Sequence, residues 1–318
     1  MDVAHEPITQ KSDKTTPSDP GLHKPGVAGS SPAAAIDSVC VRFDEDILTY
    51  HFDKKWLGST DLKVGEESPP LFHERVDLGV NAASDSAARE LGKLWHTLRE
   101  LGDDQFAERV TVAPESMVTQ SGALSTRQEA KDWLASQAGK IVVTPVQADT
   151  LGKMRERFLE NEAAVRLDQT ITLKEVSIRW VSTAGVQVKC RPDAICEGGV
   201  LVDWKSTREQ YPLRTFNQAV KRYSYGLSAA LYEQGCVLAG LADPPMVFVV
   251  TSTVSPYETQ VLTLPPAYMD WCRRRLDTVL EDIARRRRDG DWLPVGYGRV
   301  NEITMPGFGG DRGYFHID

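Results

Sequence analysis

The chain has 318 residues, of which 41% are hydrophobic and 26% are charged. This composition supports a sizeable buried core and excludes a fully disordered or collagen-like protein. Lysine and arginine number 37 against 45 acidic residues, a net charge of −8, so any contact with nucleic acid must be local.

The N-terminal half combines a polar tail with helical patterns. Residues 1–38 contain five prolines and no aromatic residue, so we predict a disordered tail followed by one domain over 39–318. Periodicity then predicts these elements: a strand or hairpin at 41–52, helices at 84–101, 126–137 and 147–161, and a short apolar run at 141–144. The first helix is expected to start at Ser84 or Asp85.

The second half begins with β-branched, alternating segments. Residues 171–182, 185–195 and 198–207 predict an antiparallel meander with turns near Ala184–Gly185 and Gly198–Gly199. The elements expected after it are a helix at 213–234, strands at 245–253 and 259–264, and a helix at 266–288. The C-terminal residues 293–318 are glycine-rich and irregular.

The hairpin around Gly198 brings acidic residues together. Antiparallel pairing about this turn places Asp193 opposite Asp203, and the period of two along a strand sends Lys205 to the face of Asp203. Facing carboxylates repel unless a cation lies between them. Two carboxylates and a lysine suit Mg²⁺ or Mn²⁺ and the hydrolysis of a phosphodiester.

The spacing of an acid and a lysine is weak evidence by itself. Similar pairs occur at Asp53/Lys55, Asp61/Lys63 and Glu129/Lys131. Only the 203/205 pair lies on an apolar strand with a partner aspartate, and a surface ion pair remains the alternative. The arginines at 273–275 and 285–288 are either a solvated helix face or an edge that binds phosphate.

Wider sequence features resemble a known family. RPD at 191–193, followed by DWKST at 203–207, resembles the core of the PD-(D/E)xK nucleases. The surroundings resemble the RecE-like exodeoxyribonuclease VIII family of phage and prophage recombination systems. The segments that carry this resemblance are WLGSTDLKVGEESPPLFHERV, LGKLWHTLRELGDDQFAERVTVAP, KEVSIRW, FNQAVKRYSYGLSAALYEQG and GDWLPVGYG.

The resemblance implies roles for individual residues. Asp193 and Asp203 would bind metal, Lys205 would be the catalytic lysine, and His96, in a Gly-xxx-His frame, would complete the metal site. Glu175 is either a further ligand or a solvent-facing strand residue.

The helix after the core strands departs from the family pattern. The family has a glutamine where this chain has Ser228, between the matching tyrosines Tyr225 and Tyr232. Gln218 would share their face on a continuous helix at spacings of seven residues and could supply the missing amide.

The resemblance implies an α/β fold with a restriction-endonuclease-like core, a central mixed β-sheet flanked by helices. It further implies a Mg²⁺-dependent exonuclease, with Mn²⁺ as a substitute, that resects double-stranded DNA ends for recombination. A ring-shaped homo-oligomer and a single-strand annealing protein as partner are also expected. The alternatives are a PD-(D/E)xK endonuclease or single-strand nuclease, and a non-catalytic DNA-binding module. No membrane span or secretory signal is apparent, so a cytoplasmic location is expected.

Overall fold

A five-stranded sheet carries the core motif. The structure is a computed structural model that describes residues 39–80, 87–241 and 245–301. The strands of this sheet are β4 (Ile171–Lys174), β7 (Ala194–Cys196), β8 (Leu201–Thr207), β9 (Met246–Ser252) and β10 (Thr259–Thr263). Their order is β10–β9–β8–β7–β4, with β8 and β9 parallel and the other neighbours antiparallel. The predicted mixed sheet is confirmed.

Helices cover both faces of this sheet. The α-helices of the described residues are α1 (Ile47–Phe52), α2 (Ser59–Glu67), α3 (Pro69–Phe72), α4 (Ala87–Leu101), α5 (Asp103–Arg109), α6 (Gln128–Ser136), α7 (Pro145–Glu160), α8 (Glu162–Gln169), α9 (Pro212–Arg222), α10 (Tyr225–Leu238) and α11 (Pro266–Asp289). None of them is long and apolar enough to cross a membrane.

The alternation of side chains along β9 divides the core into two layers. Phe248 packs with residues of α10 and α11, whereas its neighbour Val249 packs with residues of α4 and α7. All seven residues of β9 are buried. A strand covered on both faces is apolar over most of its length, as the sequence of β9 is.

The first two arms of the predicted meander are each broken. Residues 171–182 form β4 and a separate strand β5 (Ser177–Val181), and residues 185–195 form β6 (Gln187–Cys190) and β7. β5 and β6 join β1 (Cys40–Arg42) in a three-stranded antiparallel sheet. The hairpin therefore bends between two sheets, and the predicted continuous meander is wrong at this bend.

Two further predictions are corrected. Residues 47–52 form α1 instead of a strand because the Asp46 side chain accepts hydrogen bonds from the N–H groups of Leu48 and Thr49 and caps a helix. The predicted helix 213–234 is two helices, α9 and α10, because Ser224 between them has a left-handed backbone with φ +47°.

The remaining predicted elements are confirmed within a few residues at α6, α7, β9, β10 and α11. The apolar run at 141–144 contains β3 (Ile141–Val143), which pairs in parallel with β2 (Val110–Val112). The helices α2, α3, α5 and α8 were not predicted. The proposed helix start at Ser84 or Asp85 and the proposed tail, 1–38, lie outside the described residues, so the domain boundary stays a prediction.

Candidate active site

Asp193 and Asp203 lie on the two arms of the β7–β8 hairpin. Ala194 pairs with Val202, which is the predicted register, and the next position brings the two aspartates together. Oδ2 of Asp193 accepts a hydrogen bond from the backbone N–H of Trp204 at 2.7 Å. The aspartates are 7% and 2% exposed, so the pair is buried.

Lys205 reaches the same site from β8. Its ammonium donates a hydrogen bond to Oδ1 of Asp203, and its Nζ lies 5.2 Å from the centre of the Tyr225 ring. Burial alone would lower the pKa of Lys205, but the carboxylates of Asp203 and Asp193 raise it above its usual value. The lysine is therefore a permanent positive charge beside the two aspartates.

His96 enters from α4, which lies directly against β8. A Cβ on Gly92 would come within 2.9 Å of Oγ of Ser206, so only glycine permits this approach without a shift of the neighbouring atoms. One helical turn later, Nε2 of His96 lies 2.9 Å from Oδ1 of Asp193 and 3.6 Å from Oε1 of Glu175. The Gly-xxx-His spacing thus places an imidazole beside the carboxylates.

Glu175 sits at the bend between β4 and β5. Its backbone is left-handed, with φ +52°, and its side chain is buried rather than solvent-facing. Nε of Arg191 donates a hydrogen bond to its Oε2 at 2.7 Å, and Nη1 of Arg191 donates one to the backbone oxygen of Glu45. Arg191 therefore turns the other carboxylate oxygen of Glu175 toward His96.

The four acidic and imidazole groups are electrostatically coupled. Burial raises the pKa of Asp193, but His96 more than offsets this and lowers it to about 2. Burial and the neighbouring carboxylate of Asp193 raise the pKa of Glu175 to about 7, and burial also raises that of Asp203 to about 7. Burial would lower the pKa of His96, yet Asp193 and Glu175 raise it to about 9.

Sequence reasoning missed two residues of this site. Glu100 follows His96 by four residues on α4, and one ligand atom from each of His96, Glu100 and Glu175 lies within 4.8 Å of the others. The spacing of four on one helix face was the available signal. Arg191 stands in the RPD segment, but its contact with Glu175 depends on the bend of the hairpin.

The donor set fits a divalent cation. Oε1 of Glu175 is buried and has no hydrogen-bond partner among the described residues, although it lies close to His96. Carboxylate oxygens are the ligands that Mg²⁺ and Mn²⁺ prefer, and imidazole suits Mn²⁺. His96, Glu100 and Glu175, whose ligand atoms lie within 4.8 Å of one another, with Asp193 next to His96, can therefore hold such an ion.

The tyrosines of α10 lie beside the carboxylates, and Gln218 stands on the preceding helix, α9. Burial, together with Asp203 and Asp193, raises the pKa of Tyr232 well above its usual value, and Ser228 is buried one turn earlier. Gln218 is exposed on α9 and lines a cleft. The continuous helix predicted over 213–234 breaks between α9 and α10. Gln218 and Tyr225 still line the same cleft, so a role for Gln218 stays a prediction.

The cleft beside the site has a volume of about 890 Å³. It lies between α4, the ends of β8 and β9, and α9, and both His96 and Lys205 line it. Further cationic side chains along it belong to Lys93, Arg208 and Arg222, whereas Glu209 is its acidic residue. The lining of the cleft is therefore locally cationic despite the net negative charge of the chain.

The arginines of α11 have a different environment. Arg273 pairs with Glu233, Arg275 with Glu66, and Arg287 with Asp77. Arg285 and Arg286 both pair with Asp282. The arginines described on this helix do not line the cleft, and these ion pairs favour a structural role over phosphate binding.

Comparison with known proteins identifies the fold and the family of this chain. The crystal structure of a protein described as a "putative exonuclease" from Eubacterium rectale has the same fold, with a TM-score of 0.53 at 13% sequence identity. The match covers 83% of this chain and 97% of that chain. No curated protein matches the sequence. Residues 60–301 match the family described as "PDDEXK-like domain of unknown function (DUF3799)", and the chain belongs to this family.

Proposed function

We propose that the protein is a Mg²⁺-dependent DNA nuclease with its active centre at Asp193, Asp203 and Lys205. The observation that carries this proposal is the convergence of two buried carboxylates and a lysine ammonium at an open, cationic cleft. The PDDEXK-like fold supports a nuclease and usually uses divalent metals. His96 and Glu175 complete the metal site in this proposal.

Each residue has a defined task. Asp193 and Asp203 hold the ion through carboxylate oxygens, while the hydrogen bond from the Trp204 N–H fixes the orientation of Asp193. A bound Mg²⁺ or Mn²⁺ supplies water of lowered pKa and stabilises charge on the phosphodiester. The ammonium of Lys205 orients the attacking water and stabilises the negative charge that develops in the transition state.

The finer assignment is a RecE-like exonuclease. The sequence segments described above support it, as does the description of the Eubacterium rectale protein. In this proposal the substrate is the end of linear double-stranded DNA, and the product is a single-stranded overhang for recombination. A homo-oligomeric ring around the duplex and a single-strand annealing protein as partner belong to the same proposal.

The test is a digest of linear and covalently closed circular duplex DNA of one sequence, with Mg²⁺ and with EDTA. An exonuclease releases acid-soluble nucleotides from the linear form alone, and only with Mg²⁺. Lys205→Ala and Asp203→Asn provide controls for contaminating nucleases.

Cleavage of the closed circle would show that the protein is an endonuclease with the same metal chemistry and not an exonuclease. Cleavage that persists in EDTA, or in Asp203→Asn, would contradict the metal site. If the protein binds these DNA substrates but cleaves none of them, it is a non-catalytic DNA-binding module.

A further inference from the structure

An exposed aromatic ring stands at the cleft beside the active site. Tyr223 is 49% exposed and lines the cleft. Its ring centre lies 5.6 Å from that of Tyr225, which in turn lies 6.0 Å from that of the fully buried Phe248. The rings form a series that begins in the core and ends at Tyr223 in the cleft.

The break between α9 and α10 creates this arrangement. In a continuous helix, residues two apart do not face each other, so Tyr223 and Tyr225 would point to different sides. Ser224 lies between them with φ +47° and ψ +45°, a conformation that is costly for residues other than glycine. The break is thus the reason why the two rings lie side by side.

Contacts from distant parts of the chain hold the break in place. Ser224 is buried, and its hydroxyl accepts a hydrogen bond from Nη2 of Arg275 at 3.0 Å. The same guanidinium forms an ion pair with Glu66 on α2. A residue in a costly backbone conformation that distant contacts hold in place is typical of a site where local geometry serves a function.

Charges around the ring suit a nucleic acid strand. The guanidinium of Arg222 lies 5.5 Å from the centre of the Tyr223 ring and has no carboxylate partner among the described residues. Arg208, after β8, lines the same cleft. On the side toward the core, the Tyr225 ring contacts both the Tyr223 ring and the ammonium of Lys205. The Nζ atom of Lys205 lies 5.2 Å from the centre of the Tyr225 ring. Tyr223 is therefore one ring away from the catalytic lysine.

We infer that the exposed ring of Tyr223 stacks on one unpaired nucleobase of the strand held in the cleft. Aromatic side chains in a positively charged groove bind single strands in this way, because every base offers a π-face. This inference rests on the proposed nuclease function and adds that the strand near the cleavage site is unstacked. The base next to the reacting phosphate would be the one that leaves its neighbour and packs on Tyr223.

The test measures binding of a fluorescent single-stranded DNA oligonucleotide by anisotropy in EDTA, where metal-dependent cleavage is blocked. Tyr223→Ala should weaken binding by about five- to 150-fold, the range measured when an aromatic stacking partner is removed. Tyr223→Phe keeps the ring and should restore most of the affinity. Tyr211→Ala is the matched control, since Tyr211 is 54% exposed at the other end of α9 and outside the cleft.

A scan with single abasic nucleotides makes the test specific for stacking. The full-length wild type should lose affinity at one abasic position, and Tyr223→Ala should be insensitive to that same change. If no position matters to the wild type, or if Tyr223→Ala and wild type lose affinity equally at every position, the inference is wrong.

The outcome is separable from that of the proposed function. If the stacking is observed but Mg²⁺-dependent cleavage is not, the base-binding role of Tyr223 stands and the proposed nuclease function is wrong. If the wild type cleaves DNA and Tyr223→Ala binds the oligonucleotide as tightly as the wild type, the nuclease function stands and the base-binding role of Tyr223 is wrong.

Discussion

The two aspartates of the candidate active site differ in their surroundings, although they face each other. Asp193 is held ionised by His96 and by the Trp204 N–H, and its pKa is about 2. The pKa of Asp203 is about 7, since burial and the charge of Asp193 oppose its ionisation more than Lys205 assists it. Without a divalent cation, the second negative charge therefore costs stability.

This difference predicts the effect of Asp203→Asn. Because the pKa of Asp203 is about 7 in the folded protein against an ordinary 3.8, stability falls as the pH rises from about 4 through 7. In EDTA at pH 8, the substitution should raise the free energy of unfolding by about 1–3 kcal/mol. Thermal melts at pH 8 and pH 4 measure this, and the gain should vanish at pH 4. The same variant should lose Mg²⁺-dependent cleavage; equal destabilisation at both pH values would contradict the assignment.

His96 takes the place of a cation when no metal is bound. Its pKa is about 9 against an ordinary 6.5, so its contribution to stability is complete below about pH 6.5 and is lost as the pH rises through 9. A metal ligand must first release this proton. The apparent affinity for Mg²⁺ should therefore increase from pH 7 to pH 8.5.

The variant His96→Ala tests this role. Calorimetry should show weaker binding of Mg²⁺ and a flatter dependence of affinity on pH than in the wild type. Without metal its melting temperature should be lower at pH 7, because Asp193 and Glu175 lose their positive partner, and excess Mn²⁺ should restore part of the activity. A loss of stability with unchanged affinity for metal would mean that His96 only fills space.

At the scale of elements, the contact between α4 and β8 fixes where His96 stands. The closest approach is at Gly92, where a Cβ would meet Oγ of Ser206 at 2.9 Å. A methyl group there must displace either the helix or the serine side chain. If α4 shifts instead of the Ser206 hydroxyl, His96 moves with it, and a misplacement of about 1 Å can cost about 100-fold in rate because the reacting groups depend on orientation.

We expect Gly92→Ala to reduce the cleavage rate by about tenfold or more, and Ser206→Ala in the same chain to recover most of that loss. The second substitution removes the atom that the new methyl group would meet. Cleavage rates of both single variants and the double variant form the required cycle. If the double variant is no better than Gly92→Ala, the close contact at Ser206 is not what positions His96.

The sequence predicted some elements well because their causes are local. The β7–β8 register follows from the Gly198–Gly199 turn and from the alternation of apolar residues beside it. The break at Ser224 could not be predicted, since Arg275 and Glu66 stabilise it from distant parts of the chain. The bend at Glu175 has the same origin, because Arg191 fixes it through a contact across the hairpin.

At the scale of the whole molecule, positive charge is distributed unevenly. The net charge is −8, and most arginines of α11 are neutralised by neighbouring carboxylates, as in the pair Arg287–Asp77. In the cleft, Arg208 and Arg222 are exposed and have no carboxylate partner among the described residues. A nucleic acid strand is therefore expected to be attracted to the cleft and repelled elsewhere.

The dependence of binding on salt tests this distribution. Removal of one cationic side chain that binds a phosphate should reduce the slope of log affinity against log salt concentration by about 0.7 for a single strand or about 0.9 for a duplex. We expect Arg208→Gln to weaken binding in EDTA and to reduce the slope by that amount. Arg274→Gln is the control, since Arg274 is equally exposed but stands on α11, away from the cleft lining. An unchanged slope in Arg208→Gln, or an equal change in Arg274→Gln, would mean that DNA is bound by another surface.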